Sequence, residues 1–219
     1  MENIFAVWKP KGPTSNDVLN VIRKFAGTRH IGHAGTLDPL AEGILVVGIG
    51  RDATKNFHEV VQKEKEYLAV IKLGVTSTTD DEEGEKTEHR VVTLPHRGLV
   101  EETTHYFKGV YNQVPPVYSA IKVQGEEAYK RVRRGEKVVL QARPAEIKEI
   151  AVLSYTWPEL RIRVVTGPGV YVRALARDIG DRLSTGGYLT NLVRTRVGEF
   201  TKEKSFTLQE IERRFVSKS

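Results

Sequence analysis

The chain contains no cysteine. That excludes disulfides, thiolate nucleophiles, iron–sulfur clusters and cysteine zinc sites, and it fits a reducing compartment. Long apolar runs are also missing. The longest, Ile44–Ile49, has six residues and includes Gly48, whereas about 20 are needed to span a bilayer. Met1–Pro10 lacks the basic start and apolar core of a signal peptide, so the expected location is the cytoplasm. There is no G-x-x-x-x-G-K-[ST] phosphate loop, no G-x-G-x-x-G after a strand and no G-x-S-x-G elbow. Nucleoside triphosphate, dinucleotide and α/β-hydrolase chemistry are therefore disfavoured. The six histidines lack the spacing of a structural zinc site. Neither a metal nor a cofactor is expected.

What is present is an ordinary globular composition. Of 219 residues, 39% are hydrophobic and 28% charged, enough to bury a core without staples. Lysine and arginine number 34 against 28 acidic residues, a net charge of +6. The distribution is uneven. Asp80–Glu88 holds six acidic residues and one lysine, while Lys130–Glu199 holds 14 basic and 7 acidic residues. Such asymmetry points to one face meeting a polyanion, although a solvated basic surface gives the same pattern.

No internal repeat, low-complexity tract or linker interrupts the chain, so one continuous domain over residues 1–219 is expected. Ile4–Trp8 reads as a strand. Thr14, Ser15 and Asn16 offer N-caps for a helix over Asp17–Ala26 with Val18, Leu19, Ile22 and Phe25 inward. Gly27–Pro39 reads as a long loop, Glu42–Ile49 as a buried strand, Thr54–Val61 as a short helix and Glu66–Leu73 as a strand. Gly74–Arg90 reads as an acidic loop, Val100–Phe107 as a helix and Tyr118–Val123 as a strand. Glu126–Arg134 reads as a basic helical piece ended by Gly135. Glu146–Tyr155 and Leu160–Thr166 read as a strand pair turned at Trp157-Pro158. Leu160, Ile162 and Val164 alternate with Arg161 and Arg163 there. Tyr171–Leu183 carries one apolar stripe and reads as a helix, Arg194–Phe200 as the last strand and Leu208–Phe215 as the last helix. Strands and helices do not alternate strictly. This favours an α/β (α+β) fold with a mixed, mostly antiparallel sheet flanked by helices.

The densest candidate for chemistry is Arg29–Gly43, with three glycines, two histidines and Asp38. Gly32 and Gly35 permit a close backbone approach. Pro39 biases Asp38 out of the helical region, so its carboxylate is presented from a turn. Spacing alone leaves two readings open: a carboxylate at the floor of a cleft, or a glycine-rich turn in which Asp38 caps Leu40–Glu42.

The segment Gly32-His33-Ala34-Gly35-Thr36-Leu37-Asp38-Pro39-Leu40-Ala41-Glu42-Gly43-Ile44-Leu45 closely resembles the catalytic motif of the bacterial tRNA pseudouridine-55 synthases of the TruB type. Four further segments resemble that family's motifs in the same order. Lys9–Asp17 is similar to its lysine–proline motif, and Lys65-Glu66-Tyr67 to its tyrosine motif. Gln113–Lys122 is similar to the start of its RNA-gripping insertion, and Gly169–Arg173 to its arginine motif. The likeness runs from about Ile4 to about Phe200. Two departures stand out. Thr166-Gly167-Pro168-Gly169-Val170 replaces a Ser/Cys-x-Gly-Thr sequence. The chain also stops at Ser219, where typical members continue into a C-terminal RNA-binding domain of the PUA type, so no such domain is expected.

The resemblance implies a pseudouridine synthase fold with a basic insertion at about 113–145. It implies a reaction in which uracil is detached from C1′, rotated and rejoined through C5, with no metal or cofactor. It makes Asp38 the essential carboxylate, Arg173 its partner and Tyr67 the ring that stacks on the flipped base. By the same resemblance Tyr171 and Leu192 line the pocket and His33 wedges against RNA. Lys9 either holds the turn beside the active loop or meets phosphate. Lys130, Arg131, Arg133 and Arg134 meet phosphates. The implied partner is the T-arm stem-loop of tRNA, with a monomer acting without an obligate protein partner or a membrane. Rival readings are a synthase for another RNA stem-loop and a tRNA-folding module without catalysis. Intact Asp38, Tyr67 and Arg173 speak against the latter.

Overall fold

The computed structural model describes residues 3–55 and 57–216. In chain order the strands are β1 (Ile4–Lys9), β2 (Ile31–Ala34), β3 (Ala41–Ile49), β4 (Lys65–Leu73), β5 (Val75–Ser77), β6 (Lys86–Glu88) and β7 (Gly109–Gln113). They continue with β8 (Lys122–Val123), β9 (Glu126–Glu127), β10 (Arg143–Thr156), β11 (Glu159–Thr166), β12 (Gly187–Val197), β13 (Phe200–Thr201) and β14 (Ser205–Phe206). The helices are α1 (Ser15–Ala26), α2 (Arg51–Lys55), α3 (Phe57–Gln62), α4 (Arg97–Tyr106), α5 (Ala128–Arg133), α6 (Val172–Arg182) and α7 (Leu208–Val216). None of the described helices is long and apolar enough to cross a membrane.

Contacts cluster into two compact units, Met1–Leu68 with Leu192–Ser219, and Ala69–Asn191. The chain passes between them inside β4 and β12.

In the first unit the strand order is β14-β1-β3-β12, with β2 on β3 and β13 on β12. β3 is central and its residues Gly43–Gly48 are all buried, as a strand covered on both faces requires. β1 and β2 pair with it antiparallel, and β12 pairs with it parallel. Ala6, Ala34, Ile44, Val46, Val60 and Val197 form a shared core. The start of α1 follows from local chemistry. Thr14 and Asp17 form a reciprocal capping box, and Gly27 ends the helix in the left-handed conformation. Val18, Leu19 and Ile22 face inward, and Phe25 is half-buried.

In the second unit β10 is flanked by β11 and β7, all antiparallel. α4 packs on β10 and against α6. The stripe expected for α6 is present: Val172, Leu175, Ala176 and Ile179 are buried.

Several expected elements shift, each for a physical reason. The loop expected at Gly27–Pro39 contains β2, because Ile31 and Ala34 are buried against β3. The acidic loop Gly74–Arg90 carries the β5–β6 hairpin. Only Lys122–Val123 of the strand expected at Tyr118–Val123 pairs, because the Tyr118 and Ser119 carbonyls accept from Arg173 and Tyr129 instead. The last long strand begins at Gly187 rather than Arg194, because Gly187, Tyr188 and Leu189 are themselves buried in the sheet. β7, short and half-exposed, left no signal in the sequence.

Candidate active site

Asp38 is half-buried on the tight connection between β2 and β3. The turn closes through the Ala41 N–H, which donates to the Asp38 carbonyl at 3.1 Å. The residues around it are held from several directions. From α1, Ser15 Oγ donates to the Leu37 carbonyl at 2.8 Å and accepts from the Leu37 N–H at 2.9 Å. From the turn after β1, the Gly12 N–H donates to the Pro39 carbonyl at 2.8 Å. From β1 itself, Lys9 Nζ donates to the Ala41 and Pro10 carbonyls at 2.7 and 2.9 Å. From β12, Arg194 reaches the carbonyls of Gly35, Thr36 and Ile44.

Lys9 is fully buried. Its ammonium faces the Ala41 and Pro10 carbonyls rather than solvent. Burial pulls its pKa down to about 8; Asp38 opposes that shift, Arg194 adds to it, and Glu42 and Asp17 also oppose it. Lys65 behaves in the same way. Buried, with Nζ on the Val61 and Lys63 carbonyls, it is also pulled down to about 8 by burial and by Arg194. Neither Lys65 nor Arg194 was singled out from the sequence as part of the site. Their signal is an intramolecular carbonyl partner, which a sequence does not display.

Tyr67 is 6% exposed on β4, and Leu192 is equally buried on β12, in register with Ala41 of β3. Leu192 therefore lies across from the residue that ends the Asp38 turn. His33 is half-buried on β2. Its pKa is lowered first by burial, then by the charges of Arg194 and Arg23, so the neutral ring is favoured at pH 7. Its Nδ1 is buried with no hydrogen-bond partner among the described residues.

Tyr171 and Arg173 lie in the second unit, at the start of α6. Gln113 fixes Tyr171 by its backbone, accepting from the Tyr171 N–H at 2.9 Å and donating to its carbonyl at 3.1 Å. Arg143 donates to the Gly169 carbonyl and lies over the Tyr171 ring. Arg173 is 6% exposed and donates to the Thr79 and Tyr118 carbonyls and to Asp81 Oδ2, at 3.1, 3.0 and 3.1 Å. Arg177 bridges Asp80, Asp178 and the Val114 carbonyl. Burial pushes the Asp80 carboxyl up to about 6 against the pull of Arg177 and Arg173. Asp80 and Asp81 were missed by sequence reasoning. An acidic run reads as a solvated loop, yet its first two members turn inward onto α6.

The insertion is less free to meet phosphate than its arginine count implies. Lys130 pairs with Glu127, and Arg131 with Glu136. Arg134 pairs with both Glu126 and Glu136. Arg133 forms no ion pair among the described residues and lies over the Tyr129 ring. Glutamates thus engage three of the four cations expected to meet phosphate, Lys130, Arg131 and Arg134.

Two family descriptions match the chain. Residues 23–172 match the N-terminal domain of the TruB family of pseudouridylate synthases. Residues 173–219 match the C-terminal domain of tRNA pseudouridylate synthase B. The chain belongs to the TruB family of pseudouridylate synthases. It is 44% identical over 223 residues to tRNA pseudouridine synthase B of Thermobifida fusca (strain YX), covering 98% of this chain and 76% of that one. It is also 44% identical to tRNA pseudouridine synthase B of Paenarthrobacter aurescens (strain TC1), covering 96% and 70%. Among solved structures it resembles a crystal structure of a Cbf5-Nop10-Gar1 complex at 27% identity and a TM-score of 0.76. That match covers 99% of this chain and 55% of the other, so the chain spans about half the length of that relative. A structure of an H/ACA RNP bound to a substrate RNA containing 2'-deoxyuridine has the same fold, with a TM-score of 0.73. The α/β fold expected from the sequence, that of a pseudouridine synthase, is the observed one.

Proposed function

We propose that this protein converts uridine to pseudouridine in the T-loop of tRNA, at position 55, as a monomer in the cytoplasm. The observation that carries the reading is Asp38. It is half-exposed on a connection whose neighbouring residues are fixed by side chains from α1, β1 and β12, so a carboxylate is presented with little freedom to move. The family and the names of its relatives support the reaction type.

In the reaction the N1–C1′ bond of uridine breaks, the uracil turns, a C5–C1′ bond forms, C5 gives up its proton and N1 takes one up. The net change is an isomerisation and needs no oxidant or reductant. The target base must leave the stack to reach the carboxylate. Tyr67 supplies a ring for it and Leu192 supplies apolar surface, while Tyr171 is a further pocket residue by the family likeness alone. Arg173, held by Asp81 and by the Thr79 and Tyr118 carbonyls, is the guanidinium that the family likeness assigns to the reaction. His33, favoured in its neutral form, fits a wedge beside the flipped nucleotide better than a phosphate contact. The insertion grips the stem-loop, with Arg133, which forms no ion pair among the described residues, as one of its cations.

The test is to incubate the protein with an unmodified tRNA transcript and map pseudouridine chemically along it. Product confined to the T-loop supports the reading. Product elsewhere, or none, overturns it.

A further inference from the structure

Arg194 is 2% exposed and lies on β12 in parallel register with Gly43 of β3. Gly43 has φ +115°, and a Cβ there would stand 2.2 Å from the Arg194 carbonyl oxygen. Only glycine lets the two backbones close this far. From that fixed root the guanidinium reaches both sides of the Asp38 turn. Nη2 donates to the Gly35 carbonyl at 2.9 Å and Nη1 to that of Thr36 at 3.3 Å. Nε donates to the Ile44 carbonyl at 2.7 Å. Gly35, at φ +92°, passes beneath Nη1 with room only for ordinary contact.

No carboxylate forms an ion pair with Arg194 among the described residues. Burying an uncompensated guanidinium is a costly way to fill a core, and an apolar side chain would fill it without that cost. Here the charge is spent on three carbonyl oxygens, two just before Asp38 and one just beyond the turn. The planar fork can meet all three at once, whereas an ammonium is a point donor.

We propose that Arg194 is the positioning residue that sets the Asp38 turn for catalysis, by holding Gly35, Thr36 and Ile44 simultaneously. This rests on the reading that Asp38 acts on the nucleoside. Arg194 does not touch the substrate. It acts through the backbone that carries Asp38.

The experiment uses the full chain with Arg194→Lys and Arg194→Met, and takes three readings from each. They are the single-turnover rate on a T-arm stem-loop at saturating protein, the Kd of that stem-loop, and hydrogen exchange at the Leu37 and Ala41 amides without RNA. Arg194→Lys is expected to slow the single-turnover rate by about a hundredfold, with Kd changed less than about threefold, as loss of orientation without loss of binding implies. The two amides should exchange faster. Simple loss of folded protein would leave the rate constant unchanged so long as the remaining folded protein saturates the RNA. A wild-type rate constant in Arg194→Lys, or unaltered exchange at both amides, overturns the proposal. If Arg194→Met does not fold, Arg194→Lys decides alone. Should the wild-type protein form no pseudouridine, the functional reading fails, and the exchange data still decide whether Arg194 holds the turn.

Discussion

Ser15 and Leu37 hold each other twice: the serine hydroxyl donates to the leucine carbonyl and accepts from its N–H, 22 residues away in the chain. Both residues are buried. The first residue of α1 thereby fixes the residue immediately before Asp38, and the capping box at Thr14 and Asp17 fixes α1.

Ser15→Ala strands the Leu37 N–H and carbonyl without a partner in a buried place. Unfolding stability should fall by about 1–3 kcal/mol, the cost of unmet buried polar groups. Turnover should fall more than RNA affinity, because the damage lies in the backbone of the Asp38 turn. Denaturant melts with kcat and Kd check this; an unchanged melt and unchanged kcat would contradict it.

Lys9 gives the fold a pH signature. Its pKa lies at about 8 in the folded chain, below the ordinary 10.5. Between those values the unfolded chain holds the proton more tightly than the fold does. Stability gained from this residue therefore rises as pH climbs through that window, when the buried ammonium is relieved of its charge. The stability of the wild type relative to Lys9→Met should increase from pH 8 to pH 10. Parallel stability profiles for the two proteins would show that Lys9 is not titrating there.

Arg133 and Arg134 are neighbours with different employment. Arg134 is engaged by Glu126 and Glu136, whereas Arg133 has no ion pair among the described residues. Arg133→Ala should lower the salt dependence of tRNA binding by about 0.9 in log–log slope, one phosphate contact. Arg134→Ala should change the slope less and instead loosen the insertion. Equal slope changes in the two variants would refute the distinction.

Much of this was legible in the sequence because it is local. The glycines and Pro39 around Asp38, the caps before α1 and the apolar stripe of α6 act over a few residues. What was not legible is non-local. Arg194 reads as one of several basic residues along a strand, and only its parallel register with Gly43 sends it inward. Asp81 reads as part of a solvated acidic run, and only the buried Arg173 reveals its use. The glutamates that occupy the insertion arginines were visible, but their pairing depends on how β9 and α5 fold back on the segment that follows.

The central claim is that Asp38 performs the chemistry, and Asp38→Asn tests it most directly because the substitution keeps the shape and removes the charge. Pseudouridine formed in a tRNA transcript should fall by at least about a thousandfold while RNA affinity stays within about threefold, as loss of an essential reacting group requires. Wild-type turnover in Asp38→Asn would contradict the account.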